Sequence, residues 1–380
     1  MESGKIKILH FSIANSGGGI TKYALRIWKN IDREQFQCDF ATMSDKLDFA
    51  SELESQGCRV HYICTYSEQD PVKFENEINR ILDYGYDVLH LHTSWWRGFA
   101  VEEIAKKRGV PKVIIHSHNT DVHIPIGMTR EEARKLHYTW QKKVTENIAT
   151  DFWACAKKAA DWLYGENIPA EKIKIIPNAV DLDKFYFNKD IRKKYREAMG
   201  VKDQVVIGMI ARFQYQKNHE FAIEFFNLLS KRMPNAILLL IGIGELQEEI
   251  QKTVQMYNLE SKVKFLGLRN DIENMLQAFD LFILPSRFEG LPLTLVEAQA
   301  SGLKCITSEN VTEESEITTN LIRIPLYLDL WVEEALKWGK GYKREDTRKV
   351  MRNKGFDIKY QIKEIEKMYS CIIASKNCKP

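Results

Sequence analysis

Residues 280–302 read DLFILPSRFEGLPLTLVEAQASG. The apolar run Leu281, Phe282, Ile283, Leu284 has the length of a buried strand. Pro285 cannot donate to a sheet ladder, so the strand stops there, and Ser286, Arg287 and Gly290 read as loop. Pro292 suits the first position of a helix, where its missing N–H would go unpaired anyway. Leu293, Val296, Ala300 and Leu303 mark the buried side, and Gly302 is placed to end the helix. Strand, glycine-bearing loop and helix N-terminus in this order make a site for an anion, because free backbone N–H groups and the helix dipole converge there.

Two carboxylates frame the turn, Glu289 in the loop and Glu297 in the helix, with seven residues between them. Beside a phosphate they would only repel it, so the vicinal hydroxyls of a sugar or ribose are their natural partners. The plain alternative makes Glu297 a solvated helix residue and Glu289 a capping acceptor. The stretch SRFEGLPLTLVEAQASGLKCI resembles the donor-site signature of retaining glycosyltransferases of family 4 (glycosyl transferases group 1), with its two glutamates at this spacing. Bacterial capsular and exopolysaccharide enzymes are the members it resembles.

At 380 residues the chain is long enough for two or three domains, and 44% hydrophobic with 28% charged residues is a globular composition with an ample core. A formal charge of +3, without basic blocks or an aromatic-studded basic stripe, gives no ground for nucleic acid binding. The seven cysteines are scattered, odd in number and free of CxxC spacing, which favours a reducing cytosol over disulfides or zinc. Residues 5–13 already read as a strand, so no secretory segment is expected, and no run approaches the roughly 20 apolar residues that span a bilayer.

In the first half, strands at 5–13, 38–43, 60–64, 87–92, 112–115, 151–156 and 172–176 alternate with helices at 20–30, 47–56, 71–84, 98–108, 131–149 and 159–164. Such alternation implies a parallel sheet covered by helices, with ligands bound beyond the carboxyl ends of the strands. The glycines at 17–19 let a backbone approach a ligand or simply turn tightly, but they are not a dinucleotide motif. His90, His92, His116 and His118 all fall near one sheet edge. Their spacing of two is taken to send the members of each pair to opposite faces, so no metal site is expected. Trp95 and Trp96 are candidates for stacking on an acceptor sugar, with core packing as the alternative.

Residues 177–185, PNAVDLDKF, read as a hinge; the Asp181–Leu182–Asp183 motif lies in this linker and is rejected as a metal–nucleotide site. Strands follow at 204–210, 236–241, 262–266, 281–284 and 304–307, the last expected, with 312–323 as loop. Arg212 and Lys217 bracket the loop after 204–210, an arrangement suited to a diphosphate because Arg binds bidentately and Lys supplies a point charge. Gly242 and Gly244 suggest another close backbone approach. Helices are expected at 219–231, from after Glu245 to about 257, and at 272–278, 330–339, 344–353 and 357–374.

The resemblance implies an α/β GT-B fold: two Rossmann-like domains with parallel sheets facing across a cleft. The first would span 1–180 on the acceptor side, joined by 357–380 as a helix crossing back, and the second 181–356 would bind the nucleotide-sugar. It implies retaining transfer from a nucleoside diphosphate sugar, UDP-sugars being commonest, to a saccharide or lipid-linked saccharide. The setting would be surface polysaccharide synthesis in the cytoplasm, with possible peripheral contact at the inner membrane face.

By the same resemblance Glu289 holds the donor sugar and Glu297 the ribose. Arg212 and Lys217, with Gly290, Leu291, Leu293 and Thr294 at the helix start, meet the diphosphate, so no metal or other cofactor is expected. Leu268 and Arg269 lie in the loop that reads the base, and Gly18 in the loop near the donor phosphate and acceptor. A histidine at a strand end contacts the donor sugar; His118 is assigned to it, with His116 as the alternative on the acceptor side beside Trp95 and Trp96. An epimerase of the same architecture, or a non-catalytic nucleotide-sugar-binding protein, would use the same donor groups.

Overall fold

The structure is a computed structural model that describes residues 4–15, 19–122, 124, 127–339 and 341–376. The chain divides into two compact units, Met1–Pro177 with Lys359–Pro380, and Asn178–Ile358. Among the described residues no helix is long and apolar enough to cross a membrane.

The first unit is built on seven parallel strands: β1 (Ile6–Ile13), β2 (Phe36–Thr42), β3 (Val60–Tyr62), β4 (Val88–Thr93), β5 (Lys112–Ser117), β6 (Asp151–Ala154) and β7 (Ile173–Ile175). Their order is β3-β2-β1-β4-β5-β6-β7, so the winding reverses beside β1. Parallel strands joined by helices bury both faces, which is why β5 reads KVIIHS and is buried throughout. The C-terminal helix Ile358–Lys376 places Ile362, Ile365 and Tyr369 in this unit's core with Ile8, Phe40, Val88 and Trp153. The Glu366 carboxylate also accepts from the Asp32 N–H at 2.8 Å.

The second unit carries β8 (Val205–Ile210), β9 (Ala236–Ile241), β10 (Val263–Phe265), β11 (Leu281–Leu284), β12 (Lys304–Ser308) and β13 (Leu321–Ile324). The parallel order β10-β9-β8-β11-β12-β13 reverses between β8 and β11. Ligands of doubly wound sheets bind beyond the carboxyl ends of the strands at such a reversal, and here the loops after β8 and β11 emerge there. Gly208 in β8 is needed for packing: a Cβ on it would stand 2.0 Å from the Phe279 ring.

Four elements differ from expectation. The helix expected over 131–149 spans Arg130–Gln141, followed by a separate turn at Glu146–Ile148. A capping box between Thr129 and Glu132 starts it. It ends as the Lys143 and Val144 N–H groups bond three residues back, to Trp140 and Gln141. β13 occupies part of the supposed loop 312–323; a half-buried four-residue edge strand containing an arginine has little apolar signature. The polar helix Lys189–Ala198 escaped the pattern altogether. It is capped by Asn188 and anchored by Arg192 and Arg196 on Asp280. Finally, Pro292 is the N-cap of Leu293–Ala300 rather than its first residue.

Candidate active site

Two loops of the second unit form the centre. After β8, Tyr215–Lys217 makes a short 3-10 turn, and Asn218, in the left-handed region at φ 57°, starts the helix His219–Arg232. After β11, Ser286–Gly290 leads into Leu293–Ala300. Arg287 clasps the two loops. Its guanidinium donates to the Tyr215 carbonyl at 2.7 Å and pairs with Glu220 at 2.8 Å, and its N–H donates to the Gln216 carbonyl at 2.8 Å.

Glu289 is buried at 5% exposure and draws donors from both loops. Lys217 Nζ is ion-paired to Oε1, Ser286 Oγ donates to the same oxygen at 2.8 Å, and Gln216 Nε2 donates to Oε2 at 3.2 Å. A buried carboxylate is tolerated only with such partners. Arg212, half-buried in the same loop, has no partner for its guanidinium among the described residues. The result is one committed cation and one uncommitted cation at the reversal of the sheet.

Glu297 is 4% exposed, so it is not the solvated helix residue of the plain alternative. Gly290, Leu291 and Leu293 are buried and Thr294 half-buried at the helix start. The Gly290 carbonyl accepts from Thr312 Oγ1 at 2.7 Å and the Leu291 carbonyl from Asn178 Nδ2 at 2.6 Å, which fix the backbone there. The close approach expected of Gly242 and Gly244 is to the protein's own chain. A Cβ on Gly242 would lie 2.0 Å from the Ala211 carbonyl oxygen, and one on Gly244 2.3 Å from that of Phe213. Those contacts hold the segment that carries Arg212. Leu268 is exposed, and the Arg269 guanidinium is bound bidentately by Asp271 at 2.8 and 2.6 Å. Asp181 caps the short helix Leu182–Phe185, and Asp183 pairs with Arg348, as befits a linker.

In the first unit the histidines correct the expectation of opposite faces. Side chains two apart on a strand share a face, and registers His10↔His90 and His92↔His116 bring three strands' imidazoles together. His92 Nδ1 lies 3.0 Å from His118 Nε2, His92 Nε2 3.0 Å from His10 Nδ1, and His90 Nε2 3.2 Å from His116 Nδ1. Burial holds all five rings far below the usual histidine value, His10 and His118 at about 3. Of the two proposed sugar contacts, His118 is half-buried at the strand end, whereas His116 is fully enclosed in the core.

Trp96 is likewise core. It is 2% exposed, its indole N–H donates to the Leu163 carbonyl, and Phe99 meets its ring edge, so only its edge borders the cavity beside Trp95. Trp95 is half-buried and lines a cavity of about 200 Å³ with Ser12, Ser67, His92, Arg97 and Glu102. Burial pushes the Glu102 carboxyl up to about 7. Gly18 lies outside the described residues.

Gln216, Ser286, Arg287, Glu102 and His10 were not singled out from sequence. Gln216 and Ser286 are polar residues inside the two loops already suspected, which was the available signal. Glu102 looked like one of the ordinary acids of a first helical turn.

The arrangement of two parallel α/β sheets has close counterparts among solved structures. HepE of Anabaena, solved in complex with UDP and glucose, superposes with a TM-score of 0.76 at 17% identity, over 97% of this chain and 100% of that one. The architecture is therefore that of the GT-B glycosyltransferases.

Sequence carries the assignment further. EpsF of Bacillus subtilis is 31% identical over 381 residues, covering 97% of this chain and 98% of its own. The UDP-Gal:alpha-D-GlcNAc-diphosphoundecaprenol alpha-1,3-galactosyltransferase of Escherichia coli is 28% identical over 404 residues, with 98% of each covered. The family description "Glycosyl transferase 4-like domain" matches residues 18–179, and "Glycosyl transferases group 1" matches 191–322. The chain belongs to the group 1 glycosyltransferases.

Proposed function

We propose that the protein moves a sugar from a UDP-sugar, with retention of anomeric configuration, to a saccharide or lipid-linked saccharide during surface polysaccharide synthesis. It would act in the cytoplasm, against the inner membrane face where the acceptor is lipid-linked. The UDP-dependent Escherichia coli relative and the UDP complex of HepE support the donor class. The observation that carries the reading is the pair of cations at the β8–β11 reversal, Arg212 with no partner among the described residues and Lys217 resting on Glu289.

Arrival of a diphosphate gives Lys217 a stronger anion than Glu289, and Arg212 a partner. Glu289, still held by Ser286 and Gln216, is then released towards donor sugar hydroxyls, and Glu297 takes the ribose. His118 positions the transferred sugar. As the bond from the anomeric carbon to the diphosphate breaks, negative charge grows on the leaving oxygen. Arg212, Lys217 and the helix start at Leu293 and Thr294 stabilise it. The acceptor oxygen bonds to the anomeric carbon on the face the diphosphate leaves, and its proton passes to a diphosphate oxygen. These cations meet the charge without a metal cofactor.

The test is acceptor-dependent release of UDP from a panel of UDP-sugars with lipid-linked and free saccharides, with the product anomer read by NMR. Release without acceptor, sugar isomerisation in its absence, or an inverted product would overturn the proposal.

A further inference from the structure

Four of the buried polar atoms that lack a partner among the described residues fall in one place. They are His10 Nε2, His116 Nε2, Tyr23 Oη and Trp153 Nε1, all around the imidazole cluster of β1, β4 and β5. Buried polar groups are normally satisfied, and of these four the imidazole nitrogens can offer a lone pair to a cation, whereas the tryptophan N–H cannot. Among these rings, one nitrogen each from His92, His116 and His118 lie within 4.8 Å of one another. Three nitrogens on a tetrahedral ion at 2.0–2.1 Å would be about 3.3 Å apart, within reach of small ring rotations.

We propose that His92, His116 and His118 bind one divalent late transition ion of the imidazole-preferring class, such as Zn²⁺ or Co²⁺, through His92 Nδ1, His116 Nε2 and His118 Nε2. The outer nitrogens are already oriented. His92 Nε2 faces His10 Nδ1 at 3.0 Å, His116 Nδ1 faces His90 Nε2 at 3.2 Å, and His90 Nδ1 faces the Tyr369 hydroxyl at 2.7 Å. A chain of N–H donors running away from the ion towards Tyr369 is the kind of outer support that ligating histidines use. Half-buried His118 gives the ion a way in and leaves a coordination position for water. One consequence rests on the proposed function: an ion on His118 withdraws it from the donor sugar, so the site is inhibitory rather than catalytic.

The test uses the full-length, tag-free, chelator-treated protein without sugar nucleotide. Co²⁺ is titrated by its visible ligand-field absorption and then displaced by Zn²⁺. One ion per chain is expected, with affinity lowered at least about 100-fold by His118→Asn, a substitution at the sheet edge. His92→Phe should do the same, with folding checked by circular dichroism. No stoichiometric Co²⁺ binding by the parent protein, or unchanged binding by His118→Asn, overturns the site. Binding is read without turnover, so a protein that takes Co²⁺ but uses no UDP-sugar would refute the proposed function and leave the ion site standing.

Discussion

Acidification should unfold the first unit well before ordinary carboxylate titration begins. His10, His90, His92 and His116 are enclosed there as neutral rings, and His137 is held at about 4 by burial. Their folded pKa values lie below the unfolded value of 6.5. Stability is therefore fully present above pH 6.5 and is lost as pH falls from there towards the folded values, because only the unfolded chain takes up protons. At pH 5.5 each ring costs on the order of 1 kcal/mol, and the five together several kcal/mol. His118 is left out of the sum because solvent screens it at the sheet edge.

Glu102 works in the opposite sense. Its folded pKa of about 7 lies above the unfolded 4.5, so the native state takes up its proton first and gains about 2 kcal/mol at pH 5.5. The net loss, on the order of a few kcal/mol, is a large part of the stability of an ordinary domain. Urea unfolding of chelator-treated protein, followed by tryptophan fluorescence from pH 8 to 5, should show a flat midpoint down to about 6.5 and a steep fall below it. Trp153 reports directly, since its ring meets His90 at 5.1 Å and His116 at 5.7 Å between centroids. His10→Phe should reduce the slope by about 1.4 kcal/mol per pH unit. A midpoint unchanged between pH 7.5 and 5.5 would refute the description of a neutral-only cluster.

Other outcomes follow from single contacts. Lys217→Ala should lower kcat/KM by about 2–4 kcal/mol of transition-state stabilisation, measured by UDP release; unchanged kinetics would remove Lys217 from the diphosphate. Gly244→Ala forces a Cβ against the Phe213 carbonyl, 2.3 Å away, and should move the Arg212 loop. Weaker UDP binding by calorimetry, together with a lower Tm, is expected. Trp96→Ala should cost about 3–5 kcal/mol of stability as a core truncation while leaving the acceptor KM of the surviving fold unchanged, which chemical denaturation and kinetics separate.

The second unit is the most legible part of the sequence because each of its signals is local. Pro285, Gly290 and the apolar run before them set strand, loop and helix within one continuous stretch, and β9, β11 and the helix Ile272–Ala278 fall where their patterns place them. The edge strand β13 and the polar helix Lys189–Ala198 were missed because their stability comes from partners distant in sequence. β13 relies on the β12 ladder, and Arg192 and Arg196 rely on Asp280. Trp96 shows the same limit, since a large aromatic in a loop has one spelling whether it faces a sugar or Leu163.

Residue order alone carries the two-fold α/β alternation, the strand–loop–helix turn at 281–300 and the cations and carboxylates around it, because backbone chemistry and side-chain charge act over a few residues. Register and packing decide that Lys217 rests on Glu289, that Arg212 has no partner among the described residues, and that histidines on three strands form one cluster. Such pairings depend on which strands become neighbours, and parallel neighbours are joined through crossovers that carry no local mark of the partner. His10 and His90, eighty residues apart in the chain, sit side by side for that reason alone.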